Sequence, residues 1–519
     1  MQTRIGPWQL AMVSLGSVIG AGWLFSPFYG LQIAGGAILL AWLVAAALSL
    51  VISLSFSRMC MAFPLVGGTY RLLGITHPRS TSQVFLMLGW VSYVVVLPLE
   101  AQSVVQYLSF WWPPLVRHLP AGDVELSWGG LALGAALVLA LSWFNTLHIT
   151  RVTRANAILS VWKILIPLVV AGVVIVGFGT WEHFGRYWNR GLFDVEPALQ
   201  AVIGSGLVFS FTGFQNGLIL ANQAADPRRA VPFSVYMPLA LGLVIYMSLS
   251  ASYMASMPGD GSALASAAAP LLGLLTALGL TLLTPVLLLD AIASPLGTAN
   301  VYVAVTSRLL YACGFELRPD SRLTRLNRHG SPVLALWINA VVGLLFLLPF
   351  PTWKQLVSLL SSMTVFTFLA GPVSLAVLGS RIGEGKGLRA ARSLAVAGFL
   401  CCTWMVYWGG LRNLGWLCLA VALAVTGYGW LHGRVAGLRQ SVAENGYLVV
   451  FVAALWGLAW SRQAQWLAFP WDNVLVAVVG CAACWMFVRS RLDATQLQQQ
   501  IDRISAERRD DAMAAVAAQ

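Results

Sequence analysis

Apolar positions in this chain do not alternate with polar ones. They run together in stretches of about 20, set apart by short clusters of Arg, Pro, Gly and polar residues. Stretches of that length cross a bilayer as helices, because a helix satisfies its own backbone polar groups where no water can. The runs fall at residues 8–30, 34–56, 84–110, 127–148, 157–179, 198–221, 232–256, 332–351, 354–380, 393–410, 413–432, 446–461 and 470–488. A further tract, 268–311, is too long for one crossing and is interrupted by Pro285 and Pro295. It predicts a helix near the outer surface followed by one complete span. The expected architecture is an all-α integral membrane protein of about 14 transmembrane helices.

Composition agrees. Charged residues make up 10% of the chain, hydrophobic ones 58%, whereas a soluble domain carries about 25% charged residues. With the N-terminus placed inside, 25 of the 31 Lys and Arg residues fall on the inner side. The outer side keeps Arg117, Arg186, Arg190, Lys354, Arg412 and Arg462. That bias predicts cytoplasmic termini and a multi-pass protein of the cell (inner) membrane. The net charge of +12 is then a matter of topology, and no nucleic-acid partner is expected. The start of the chain shows no cleavable leader pattern, so the first span is expected to be retained.

The seven cysteines lie in spans or at their inner ends, and the six histidines lack ligand spacing; neither a metal nor a cofactor is expected. Residues 489–519 read as a cytoplasmic tail, helical from Ala494 with Leu497, Ile501 and Ile504 on one face.

Two spans are punctuated where a helix is hardest to break: GSVIGAGWLFSP at residues 16–27 and GSGLVFSFTGFQNG at 204–217. Gly16 and Gly20 have the spacing of a small-residue packing face. A phosphate-cradling loop fits less well, since no lysine follows the glycines. Against packing stands the symmetry of the breaks, in the first and the sixth span. Transporters built of two inverted repeats place an unwound helix of each at the substrate site. There the half-helix N-terminus favours a carboxylate, and freed carbonyls can hold an ammonium. Together they suit the backbone of an α-amino acid.

At these residues the chain resembles the amino acid–polyamine–organocation (APC) superfamily of transporters. The resemblance rests on Gly16–Pro27, on Phe209–Gln215, on Asp226-Pro-Arg-Arg-Ala-Val-Pro232 and on Ser294-Pro-Leu-Gly-Thr298, and covers roughly residues 1–435. It implies a five-plus-five inverted-repeat, leucine-transporter-like fold with spans 1 and 6 broken. The core would be residues 1–380, in repeats of about 1–180 and 198–380. Residues 393–488 would supply additional helices 11–14, of which the last two exceed the family's usual twelve.

The resemblance also implies a site. The backbone at Val18, Ile19, Gly20, Ala21 and Gly22 would receive the substrate carboxylate, and carbonyls near Phe209, Ser210 and Thr212 its amine. Phe209 takes the place of an aromatic gate, and Gln215 stands where many members have glutamate. The third span looks like that of aspartate–proton symporters, which implies proton-coupled symport; an amino acid or polyamine exchanger is the alternative.

Three ionisable residues fall within or near spans: Glu100, Lys163 and Asp290. Such groups are costly in a membrane unless paired or hydrated. Lys163 lies about seven residues into span five, where its stem could snorkel to the surface; the resemblance instead makes it a proton-coupling lysine. Glu100 suits either the substrate cavity or a polar pocket at the Pro98 kink, and Asp290 reads best as the outer start of span eight. A membrane-embedded enzyme would need a nucleophile with a base, or a metal pair, and no span holds a central histidine, a His-Glu-x-x-His or a Gly-x-Ser-x-Gly. The chain is therefore expected not to be an enzyme. Its expected partners are the lipid bilayer, an amino acid such as aspartate, and a proton.

Overall fold

An apolar run free of Gly and Pro extends as one unbroken helix, and Ile38–Ala62 does so. In a computed structural model, described over residues 6–63, 72–119, 123–147, 149–188, 191, 193–219, 221, 224–257, 268–317, 322–382 and 386–504, the chain is almost wholly helical. Among these residues nine helices are long and apolar enough to cross a membrane, or eleven if each of two sharply bent pairs counts as one span. Trp128–Phe144 and Val333–Leu347 are apolar helices of 17 and 15 residues. Arg4, Arg71, Arg318, Arg508 and Arg509, assigned inside by the topology, and Arg190, assigned outside, fall beyond the described residues, as does the tail past 504.

The elements that frame the centre are α1 (Pro7–Val18), α2 (Gly22–Ala34), α3 (Ile38–Ala62), α4 (Leu72–Thr76), α5 (Arg79–Val94), α6 (Val96–Leu108), α7 (Trp128–Phe144) and α8 (Ile149–Phe178). They continue with α9 (Trp181–Trp188), α10 (Val195–Gly204), α11 (Leu207–Phe211), α12 (Phe214–Ile219) and α13 (Pro227–Ser256). α1 packs on α8, α12 and α13, while α6 packs on the long helix that follows residue 283. The helix over the expected first span is interrupted at residues 19–21. That over the sixth turns by 62° between α10 and α11.

The tract 268–311 resolves as expected into a short helix, α14 (Pro270–Ala277), and a long one, α15 (Thr284–Leu317). Two features have no counterpart in the apolar pattern. After α8 the chain turns by 107° into α9, whose Trp181 and Trp188 are exposed. Between α6 and α7 a small antiparallel hairpin pairs Val116–His118 with Val124–Leu126.

Further along come α16 (Val333–Leu347), α17 (Trp353–Thr367), α18 (Ala370–Ile382), α19 (Lys386–Trp408), α20 (Gly410–Leu431), α21 (Arg434–Gln463) and α22 (Trp471–Arg489). α20 and α21 cross closely, since a Cβ on Gly429 would lie 2.7 Å from Leu438 Cα. Arg462 joins this outer group to α10 through ion pairs with Asp472 (2.8 Å) and Glu196. At the other end the Leu492 amide donates to the Thr76 carbonyl (2.9 Å), and Leu497 and Ile504 bury their side chains. Exposed Leu, Val and Trp side chains from α8, α16, α20, α21 and α22 form the kind of surface that hydrocarbon, not water, solvates.

Candidate functional site

A helix that stops leaves its last carbonyls without intrahelical donors, and away from water each needs another partner. α1 stops at Val18, and side chains from three other helices supply the donors. Lys163 Nζ on α8 donates to the Gly16 carbonyl at 3.2 Å and to Thr298 Oγ1 at 2.7 Å. Thr298 on α15 in turn faces the Gly16 and Ile19 carbonyls at 3.3 and 3.1 Å. Tyr246 on α13 sends its hydroxyl to the Val18 carbonyl at 3.2 Å.

The amide side of the same break is also occupied. At the positive end of α2, the Ala21 N–H donates to Glu100 Oε2 at 2.9 Å. Gly20 makes room for this: a Cβ there would run into Glu100 Oε1 and come within 3.0 Å of Thr298 Cγ2. A Cβ on Gly22 would likewise meet the Ser210 hydroxyl.

The second break is held open by glycine. Gly206 (φ 76°) and Gly213 (φ 112°) sit in the left-handed region that other residues avoid. A Cβ on Gly213 would lie 2.7 Å from the Ser17 carbonyl carbon and 2.8 Å from the Val18 nitrogen, so the two interrupted helices touch backbone to backbone. Tyr246 bridges them, because the same hydroxyl lies 2.9 Å from the Ser210 carbonyl. Thr212 Oγ1 donates to the Phe209 carbonyl at 2.7 Å, and Asn216 donates to Ser17 Oγ at 2.9 Å. Gln215 turns inward on its own segment, its Oε1 accepting from the Gly213 N–H at 3.0 Å. The Phe209 ring is buried.

Residues 18–22, Ser210, Glu100 and Lys163 therefore converge on one pair of breaks, whereas Thr212 and Gln215 serve mainly their own turn. Glu100, Lys163 and Asp290 are all buried, and both carboxylates act electrostatically on the lysine. Asp290 lies about one turn and a half from the start of α15, in keeping with a place near the start of a span, but its side chain is enclosed by protein. Lys163 does not snorkel, since its ammonium is directed at α1 and α15.

Thr298 and Tyr246 do not stand out as site residues in the sequence. Thr298 sits within the Ser294–Thr298 stretch, but Tyr246 is one polar hydroxyl in an apolar span and gives no signal. Next to the break, the Phe25 ring stacks on Trp353 at 4.6 Å and meets Tyr107 edge-on at 5.4 Å. The Tyr107 hydroxyl donates to the Leu24 carbonyl at 3.2 Å. Among the described residues no group of three or more His, Cys, Asp or Glu could hold a metal ion.

Such an arrangement offers an amide-rich helix start, freed carbonyls and one buried ammonium at the meeting of two interrupted helices. The family model described as amino acid permease matches residues 5–409. The chain belongs to the amino acid permease family. It is an amino acid transporter of the APC superfamily, and its family and relatives are transporters, not enzymes.

Over 501 residues this permease is 28% identical to the glutamate/serine transporter AimA of Bacillus subtilis (strain 168), covering 92% of each chain. It is 24% identical over 431 residues to the aspartate-proton symporter of the same organism, covering 80% of this chain and 81% of the relative. It is 23% identical over 354 residues to the aromatic amino acid transport protein AroP of Escherichia coli O157:H7, covering 65% and 72%.

Proposed function

We propose that this permease is a proton-coupled amino acid symporter of the cell (inner) membrane, with both termini cytoplasmic and an acidic amino acid, aspartate or glutamate, as its substrate. Residues 1–380 act as two inverted repeats whose broken helices, α1–α2 and α10–α12, meet at the substrate. The amides of Gly20, Ala21 and Gly22 take the substrate carboxylate. The Phe209, Ser210 and Thr212 carbonyls take its amine, and Phe209 closes over it. Residues 393–488 pack outside this core as additional helices.

The observation that carries the coupling is the Lys163 ammonium at 3.2 Å from the Gly16 carbonyl and 2.7 Å from Thr298 Oγ1. A fixed ammonium there does the work of a bound cation: it ties α8 and α15 to the end of α1. When it gives up its proton the tie is lost, and the helices can part. The relatives named for glutamate and for aspartate support an acidic substrate, and the first of them is named for serine as well.

Proteoliposomes carrying the wild type should accumulate labelled aspartate or glutamate under an inward proton gradient without sodium. Lys163→Ala should abolish accumulation while leaving some substrate binding. Sodium-dependent accumulation, or undiminished accumulation by the alanine variant, refutes the coupling; uptake only against internal amino acid marks an exchanger instead.

A further inference from the structure

The Ala21 N–H at the start of α2 has one acceptor, and it belongs to the protein. Glu100 Oε2 sits on it at 2.9 Å, within the backbone stretch where a substrate carboxylate would have to bind. The other oxygen, Oε1, lies against Gly20 in space that any side chain would fill, and has no hydrogen-bond partner among the described residues. Glu100 is fully buried. A carboxylate half-satisfied in a buried site is held less firmly than one with both oxygens bonded.

Two ionised carboxylates cannot share that seat. Like charges a few ångströms apart in low dielectric repel strongly, and one of the pair takes a proton instead. The titratable groups facing Glu100 are Lys163 from α8, Tyr246 from α13 and Tyr302 from α15, with Asp290 acting on the lysine. Of these only Lys163 brings positive charge, and two buried carboxylates already draw on it.

We propose that Glu100 is a built-in competitor for the substrate: ionised, it fills the carboxylate seat at the start of α2, and on taking a proton it yields that seat to the substrate's carboxylate. This rests on the symport reading above and divides the labour in it: the charge on Lys163 governs the tie of α8 and α15 to α1, and a proton on Glu100 governs whether the substrate can bind. A proton bonds to the unpartnered Oε1, the Ala21 N–H is left with a neutral carbonyl in place of an ionised acceptor, and the incoming carboxylate displaces it. The charge at the seat is unchanged, because one proton and one carboxylate arrive together. Release reverses the order: when the proton leaves Glu100, the regenerated carboxylate reclaims the amide and expels the substrate.

The test is binding of labelled L-aspartate, L-glutamate and L-serine to the purified full chain across a pH series, for wild type, Glu100→Gln and Glu100→Ala. In the wild type the apparent Kd should rise about tenfold per pH unit on the alkaline side, the slope of one linked proton. On that alkaline side, calorimetry in buffers of different ionisation enthalpy should count one proton taken up per substrate. Glu100→Gln imitates the protonated state and should bind without that slope, and Glu100→Ala, which empties the seat, should do the same. Both should exchange substrate across vesicles without accumulating it. A glutamine or alanine variant that keeps the wild-type slope, or wild-type binding that takes up no proton, overturns the proposal. A wild type that binds none of the three amino acids at any pH overturns the substrate reading itself, and the competition with it.

Discussion

Gly213→Ala is the sharpest perturbation of the contact between the two breaks, because two separable costs fall on one methyl group. The first is conformational: Gly213 has φ 112°, and holding an L-residue in that region costs about 1–2 kcal/mol. The second is steric: the new Cβ would lie 2.7 Å from the Ser17 carbonyl carbon and 2.8 Å from the Val18 nitrogen. Those are backbone atoms, so no rotamer change relieves the contact. The helices must separate by roughly half an ångström, at the about 1–3 kcal/mol typical of overpacking. The sum is about 2–5 kcal/mol.

Gly330→Ala provides the control, since that residue has φ 75° and a methyl group there would meet nothing within 4 Å, so only the conformational cost applies. The assay is thermal stability in detergent by fluorescence-detected size exclusion, with substrate binding measured on the same samples. Gly213→Ala should melt lower than Gly330→Ala and lose binding that Gly330→Ala keeps. Equal melting temperatures and intact binding in both would show that the breaks do not depend on this close approach.

Other outcomes follow from single contacts. Tyr246→Phe removes one hydroxyl from two buried carbonyls, Val18 and Ser210, and should lower stability by about 1–3 kcal/mol and weaken substrate affinity, both measurable by melting with and without substrate. Phe209→Ala should speed release of bound substrate more than it lowers the yield of folded protein, as read by dissociation kinetics; unchanged rates would make the ring a packing residue. His77, between α4 and α5, is held neutral by burial, its pKa pushed down to about 4. Its Nε2 donates to the Phe487 carbonyl (2.9 Å), which leaves Nδ1 to accept from Thr76 (2.8 Å). Below pH 6.5 the unfolded chain takes up that proton first, so the stability in place above pH 6.5 should fall toward pH 4 by about 3 kcal/mol. A His77→Gln variant should lack that part of the slope.

Much of this fold is legible in the sequence because hydrocarbon allows so few backbone solutions. Apolar runs such as Ile38–Ala62 could be little else than helices, and glycines at 16, 20, 22, 206 and 213 stand out against them. What the runs do not carry is depth and azimuth. Asp290 has the same neighbours in sequence whether it caps a helix outside or lies enclosed within it. Tyr246 and Thr298 act on α1 across separations of 228 and 282 residues, and no local pattern records such a contact. Glu100 is a candidate by type alone; that its carboxylate sits on the Ala21 amide depends on how α6 meets α2 in space. The 107° turn into α9 and the hairpin after α6 are likewise products of packing that hydropathy does not encode.

The central claim is that proton and amino acid move together through the paired breaks. It is tested most directly in sodium-free proteoliposomes containing a pH-sensitive dye, with the membrane potential clamped and aspartate, glutamate or serine added outside. The account predicts that the transported amino acid acidifies the lumen at the same initial rate as labelled substrate enters, and that Lys163→Ala abolishes both signals. Substrate entry with no change in luminal pH, or entry that begins only when sodium is supplied, would contradict it.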